Sequence, residues 1–125
     1  MVILITGKAG AGKTHYASEL KKELIQEGLG VICIDGDDLR VKDKNEDFSD
    51  QGRILNLTHA AELAKRYEMQ GNIVVCSFIA PKREWRDMMR SYWKESILVY
   101  MPGGHLWEGT KYERPSYDEL KILTS

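Results

Sequence analysis

The sequence predicts an α/β fold of three layers, α/β/α, around a mostly parallel sheet of about five strands. Three observations carry this. Short apolar runs at Val2-Ile3-Leu4-Ile5, Val31-Ile32-Cys33-Ile34, 73–78 and 96–101 alternate with stretches of helical period, the pattern of βαβ units and of parallel pairing. The first two runs are continuously apolar, as strands buried on both faces must be. A glycine-rich turn, Gly7 to Gly12, joins the first run to the first helical stretch.

Each element follows in order. After the glycines Ala17, Leu20 and Leu24 recur at i, i+3 and i+7, with Lys21, Lys22 and Gln26 on the wet side. Gly28 and Gly30 then stop the helix as a left-handed C-cap requires. The second strand delivers Asp35-Gly36-Asp37-Asp38 at its carboxyl end. Residues 41–52 are polar, with charges at five of the six positions 42–47, and read as a solvated loop. Helical period resumes over 52–70, with Ile54, Leu57, Ala61 and Ala64 inward. Gly71-Asn72 turns the chain into the third strand, which Ile79-Ala80-Pro81 breaks. Residues 82–93 read as an amphipathic helix with the stripe Trp85, Met88, Met89 and Tyr92; Trp85, Tyr92 and Trp93 are expected in the core. Arg83, Arg86 and Arg90 as a set read as its solvated face. The fourth strand stops at Pro102-Gly103-Gly104, and the apolar segment 120–123 reads as an edge strand.

The 125 residues suit a single domain, 1–125. Eighteen basic against 19 acidic side chains leave a net charge of −1. That excludes a general electrostatic grip on nucleic acid or anionic lipid, so neither is expected as a partner. Cys33 and Cys76 are too few for a disulfide framework or a zinc site, and are expected as buried, reduced thiols. No apolar run approaches the ~20 residues of a membrane span, and no basic n-region with a cleavage site is present. A cytoplasmic protein is expected.

Chemistry enters at Gly7-Lys8-Ala9-Gly10-Ala11-Gly12-Lys13-Thr14, which is G-x-x-x-x-G-K-T between a buried strand and an amphipathic helix. Glycines let successive backbone N–H groups turn inward around a phosphate, and the helix N-terminus adds its positive end. The pattern predicts a P-loop NTPase fold that binds ATP with Mg²⁺. Gly7, Gly10, Ala11 and Gly12 would form the cradle, Lys13 would reach the β- and γ-phosphates, and the Thr14 hydroxyl suits Mg²⁺. Lys8 is placed either on phosphate or in solvent, and His15 on the surface. Asp35, Asp37 and Asp38 fall at the carboxyl end of a strand, where open α/β sheets place their ligands. A phosphoryl acceptor needs a carboxylate to orient or deprotonate its hydroxyl, a role assigned to Asp37. Mg²⁺ needs oxygen partners, and Asp35 with Thr14 is the metal pair. Lys13, Asp37 and Asp35 are thus the catalytic candidates, with Asp38 the candidate cap of the next helix.

These residues resemble a known family. The loop, followed after one helix by Ile34-Asp35-Gly36-Asp37-Asp38-Leu39-Arg40, is similar to the adenylylsulfate kinases, which read L-D-G-D-N-x-R there. Phe48-Ser49 with Arg53 and Asn56 resembles the family's G-F-S-x-x-D-R-x-x-N-I-R-R. Ser77-Phe78-Ile79-Ala80-Pro81 with Arg86 resembles S-F-I-S-P-x-x-x-x-R, and Tyr112-Glu113-Arg114-Pro115 with Glu119-Leu120 resembles Y-E-x-P-x-x-x-E-L. The resemblance implies an ATP- and Mg²⁺-dependent kinase. Its γ-phosphate would pass to the 3′-hydroxyl of adenosine 5′-phosphosulfate, with Asp37, Arg40, Arg53, Asn56, Ile79 and Arg86 holding that small-molecule substrate. The chain departs from the pattern at Asp38 for Asn, Ala80 for Ser and Thr58-His59 for an Arg pair. Between Pro102 and Tyr112 lie only nine residues, where the family carries a longer, Arg- and Lys-rich lid. A second copy, and so a homodimer, is expected to cover the shortened site, with Trp107 either stacking on a base or packed. Two alternatives stay open: a kinase for another nucleotide-linked or nucleic-acid-end hydroxyl, and a nucleotide-binding module without turnover.

Overall fold

A computed structural model describes residues 1–106, 111–120 and 123–124. Five strands form one sheet: β1 (Val2–Gly7), β2 (Val31–Asp35), β3 (Ile73–Phe78), β4 (Glu95–Met101) and β5 (Leu123–Thr124). Their spatial order is β2-β3-β1-β4-β5. The first four are parallel, and β5 runs antiparallel to β4. This is the mostly parallel α/β sheet that the sequence predicts. Of the apolar run read as an edge strand, Leu120 closes a 3-10 turn, Tyr117–Leu120, and Leu123 lies in the edge strand β5.

Strand alternation splits the core in two. Val2 and Leu4 of β1, with Val74, Cys76 and Phe78 of β3, face α3 (Asp50–Met69) and α4 (Arg83–Arg90). Ile3 and Ile5, with Val75, face α1 (Lys13–Gln26), where Ala17, Leu20 and Leu24 meet them. Each face thus receives every second side chain of a doubly buried strand. Trp85 and Trp93 lie in the first cluster as expected, and the Trp93 indole N–H donates to the Ala61 carbonyl at 3.0 Å.

Several expectations are corrected. The segment read as the start of a loop is helical: α2 spans Gly36–Asp43. Its cap is Asp35 rather than Asp38, since the Asp35 carboxylate accepts from the Asp37 and Asp38 N–H groups at 3.0 and 3.3 Å. Only Leu39 of α2 is buried, so no apolar period announces it. The helix stands on its cap, with Asp37 and Asp38 in the first turn and Arg40 and Lys42 in the last, each complementing the helix dipole. Ile54 is exposed rather than inward; Leu57, Ala61 and Ala64 are buried as expected, and Asn56 and Ala60 join them on the buried face of α3. Cys33 is exposed on the edge strand β2, while Cys76 is buried. The arginine face of α4 is solvated only at Arg83. Arg86 and Arg90 are buried beneath the segment that follows the shortened loop.

Candidate active site

The carboxyl ends of β1, β2 and β3 lie side by side, with Asp35 in register with Ser77 and Thr6 with Phe78. Over them opens a cavity of about 360 Å³ lined by Gly10, Gly12, Lys13, Thr14, Asp35 and Asp37 among others. The loop that forms it follows from its glycines. Gly10 and Gly12 hold φ of 77° and 94°, a left-handed backbone that disfavours any Cβ. Gly12 caps α1 without a side-chain hydrogen bond, so that helix N-terminus is available to an anion. Lys13 Nζ reaches back across the loop and donates to the Gly7 and Lys8 carbonyls, each at 2.9 Å. Burial lowers the pKa of this ammonium, while the charges of Asp37 and Asp35 act in the opposite direction. Thr14 Oγ1 donates to Asp35 Oδ2 at 3.3 Å. The other Asp35 oxygen is committed to capping α2.

A second cavity, of about 240 Å³, lies beside the first and shares Gly36, Asp37, Phe78 and Ile79 with it. Its remaining lining includes Arg40, Arg53, Asn56, Leu57, Phe48 and Trp85. Arg40 Nη1 donates to the Asp47 carbonyl at 3.0 Å and its guanidinium lies 4.6 Å from the Phe48 ring centroid. Arg40 and Arg53 line one cavity, and burial, with next the like charge of Arg53, lowers the Arg40 pKa. Asn56 Oδ1 is buried and, among the described residues, finds no hydrogen-bond partner. Such an atom is costly unless a ligand or water supplies the donor.

The structure therefore brings together Gly10, Gly12, Lys13, Thr14, Asp35 and Asp37 at the first cavity, and Asp37, Arg40, Arg53, Asn56 and Ile79 at the second. Gly7 and Ala11 belong to the same loop without lining the first cavity. Arg86 stands apart. It is 0% exposed, with Nε donating to Glu119 Oε1 at 2.9 Å, Nη1 to the Ala80 carbonyl at 2.7 Å and Nη2 to the Glu113 carbonyl at 2.8 Å. Its donors fasten the chain after the shortened loop to α4 and to the turn after β3, and Arg86 is not among the residues that line either cavity. Thr58 and His59, at the positions of the family's Arg pair, point elsewhere: His59 Nδ1 lies 2.5 Å from Asp43 Oδ2, and Thr58 contacts Met88. Trp107 lies outside the described residues. The aromatic walls, Phe48, Phe78 and Trp85, escape any motif that looks only for polar groups.

The sequence profile of the adenylylsulphate kinases matches residues 1–104. The chain belongs to the adenylylsulphate kinase family. It is 40% identical over 90 residues to the adenylyl-sulfate kinase of Bacillus velezensis, covering 71% of this chain and 46% of that protein. It is 38% identical over 100 residues to the probable adenylyl-sulfate kinase of Archaeoglobus fulgidus, covering 79% and 64%. Among solved structures, the Mycobacterium tuberculosis adenylylsulphate kinase CysC in complex with AMPPNP and APS superposes with a TM-score of 0.76 at 25% identity, over 81% of this chain and 61% of that one. The chain thus spans about half the length of the Bacillus velezensis family member, at 46%. Among the described residues, no helix is long and apolar enough to cross a membrane.

Proposed function

We propose that the chain is an ATP- and Mg²⁺-dependent phosphotransferase acting on the 3′-hydroxyl of adenosine 5′-phosphosulfate. The observation that carries this reading is Asp37, whose position belongs to the walls of both cavities. A nucleotide triphosphate in the first cavity and an anionic nucleoside in the second would meet at that carboxylate. In the reaction the acceptor 3′-oxygen forms a bond to the γ-phosphorus, the bond from that phosphorus to the β,γ-bridging oxygen breaks, and the hydroxyl proton leaves by way of Asp37. ADP and 3′-phosphoadenosine 5′-phosphosulfate are the products.

The remaining roles follow from the donors present. Two of the three Lys13 N–H groups are held by loop carbonyls, which aims the ammonium and leaves a donor for phosphate oxygen. Thr14 Oγ1 and Asp35 Oδ2, both hard oxygens and adjacent, fit Mg²⁺, which keeps several waters and takes few protein ligands. When bound, Mg²⁺ neutralises charge on the β- and γ-phosphates. Arg40 and Arg53 would pair with the phosphosulfate, and Asn56 Oδ1 would accept from the nucleoside. Gly7 and Ala11 shape the loop, and Ile79 lines both cavities.

One observation favours a second acceptor: Thr58 and His59 leave the second cavity with fewer cations than the family pattern has, so another nucleotide-linked or nucleic-acid-end hydroxyl fits the same space. A mass-spectrometric screen of acceptors with ATP and Mg²⁺, adenosine 5′-phosphosulfate first, tests both. Phosphorylation of adenosine 5′-phosphosulfate supports the leading reading. Phosphorylation of a different acceptor alone overturns it, and no transfer to any acceptor leaves a nucleotide-binding module. The proposed cover for the site is a second copy of the chain, in a soluble homodimer.

A further inference from the structure

The sequence marks the segment after β4 only as a shortened loop, yet it is built into the phosphate cradle. The His105 backbone N–H donates to the Ala9 carbonyl at 2.8 Å, and the two residues form an antiparallel bridge. Gly104 makes the approach possible. At φ 74° a Cβ there would stand 2.4 Å from the Ala9 carbonyl oxygen and 3.0 Å from the Ala11 nitrogen, so the two backbones meet at a distance only glycine allows. The His105 ring also packs against the loop: a Cβ on Gly10 would lie 3.5 Å from it, in ordinary contact. The Gly104-His105 backbone and the Ala9–Ala11 turn therefore meet along one seam.

His105 does not line the cradle cavity, whereas Ala9 and Gly10 do. The bridge is thus made on the outer side of the loop. Across a trans peptide the carbonyl of one residue and the N–H of the next point in opposite directions. Tying the Ala9 carbonyl outward to His105 directs the Gly10 N–H inward, to where a phosphate oxygen would accept. We propose that the Gly104-His105 segment is a fixed brace that pre-orders the phosphate cradle for nucleotide, so that Gly104 and His105 are positioning residues for nucleotide binding. A cradle held in its binding arrangement loses less conformational freedom when the ligand arrives. The brace occupies part of the stretch where the family carries its mobile lid, and works by holding the loop rather than by closing over it. The proposal rests on the nucleotide reading of the first cavity, and it says nothing of the acceptor.

The probe is ADP, titrated calorimetrically with Mg²⁺ into the full chain. Gly104→Ala forces the strands apart, and His105→Pro removes the donating N–H. Each is expected to weaken ADP binding by about fivefold to tenfold. His105→Ala keeps the N–H and loses only the ring, and is expected to restore binding to within about twofold. In turnover the KM for ATP rises in the first two variants, while the acceptor KM and the kcat at saturating ATP hold. Hydrogen exchange on the wild type reads the brace without any variant, and the His105 amide is expected to be protected before ADP is added. An unprotected His105 amide in the folded wild type would overturn the proposal. So would wild-type ADP affinity in a folded Gly104→Ala variant, or an equal rise in both KM values. A wild type that binds no ADP defeats the nucleotide reading and the brace with it; wild-type binding beside an insensitive Gly104→Ala defeats the brace alone.

Discussion

Lys13 and Asp37 divide the work of the proposed reaction between charge and orientation. Among the described residues Lys13 donates to the carbonyls of its own loop, Gly7 and Lys8, so Lys13→Ala should leave the unfolding free energy within about 0.5 kcal/mol of wild type. Turnover should fall by on the order of 10²-fold or more, because one pre-organised charge contact to the transferring group is lost. Rates near wild type in this variant would contradict the kinase reading. Asp37 is exposed and shared between the cavities, so Asp37→Asn should lower kcat by about 10²-fold or more while ATP affinity changes little. The opposite split, with ATP affinity lost and turnover kept, would place Asp37 on the nucleotide or metal instead. The sequence made these residues legible because motif and spacing place each just after the carboxyl end of a strand, Lys13 after β1 and Asp37 after β2. Asn56 is named by the family pattern, but its burial with an acceptor that finds no partner among the described residues is a property of packing and not of spacing.

Asp35 serves α2 and the proposed metal with different oxygens, and the two duties separate by substitution. Asn is as good an N-cap as Asp, so Asp35→Asn should keep stability while raising the Mg²⁺ concentration needed for half-maximal activity. Asp35→Ala should lose about 1 kcal/mol of stability as well. An Asp35→Asn variant with the wild-type Mg²⁺ requirement would remove Asp35 from the metal site. At α4 the lesson is the reverse. Spacing alone puts Arg83, Arg86 and Arg90 on one face, and such a face is normally solvated. Here the segment 111–120 lies over it: Glu119 meets Arg86 in a buried pair, and Arg83 binds Asp118 at the surface. The sequence separates Arg86 and Glu119 by 33 positions, so no local period reveals their contact. Arg86→Met should therefore destabilise the fold by about 3–5 kcal/mol, the cost of leaving a buried carboxylate unpaired, measured by urea unfolding. Unchanged stability with a raised acceptor KM would return Arg86 to the substrate site.

Across the whole molecule, tertiary ties made by carboxylates set a pH dependence. Burial pushes Glu119 up, but hydrogen bonds from Arg86 and the Ser116 N–H bring it below its ordinary value. Glu68 behaves alike, with burial outweighed by the Lys94 and Glu95 N–H groups and the N-terminal ammonium. At the surface, hydrogen bonds from Arg83 and then Ser116 hold Asp118 at about 2. A folded-state pKa below the unfolded one gives stability that is complete above the unfolded carboxylate value of about 4 and lost as pH falls through the folded value. Urea midpoints should therefore be level from about pH 6 to 5 and fall from about pH 4 downward; a midpoint at about pH 3 equal to that at pH 6 would contradict the account. The layer order of the fold was legible in the sequence because doubly buried strands and a glycine turn are local patterns. The short helix α2 was not, because with only Leu39 buried it shows no apolar period; the buried arginine face and the seam at Gly104 were not, because their partners lie far along the chain. Cover by a second copy predicts a dimer by light scattering throughout the active concentration range, and a monomer with acceptor-coupled turnover would exclude it. The proposed transfer is tested most directly by following ADP release and product formation together, with ATP, Mg²⁺ and adenosine 5′-phosphosulfate. One 3′-phosphoadenosine 5′-phosphosulfate is expected for each ADP, with both signals lost together in Lys13→Ala. ADP release without that product would rule the proposed transfer out.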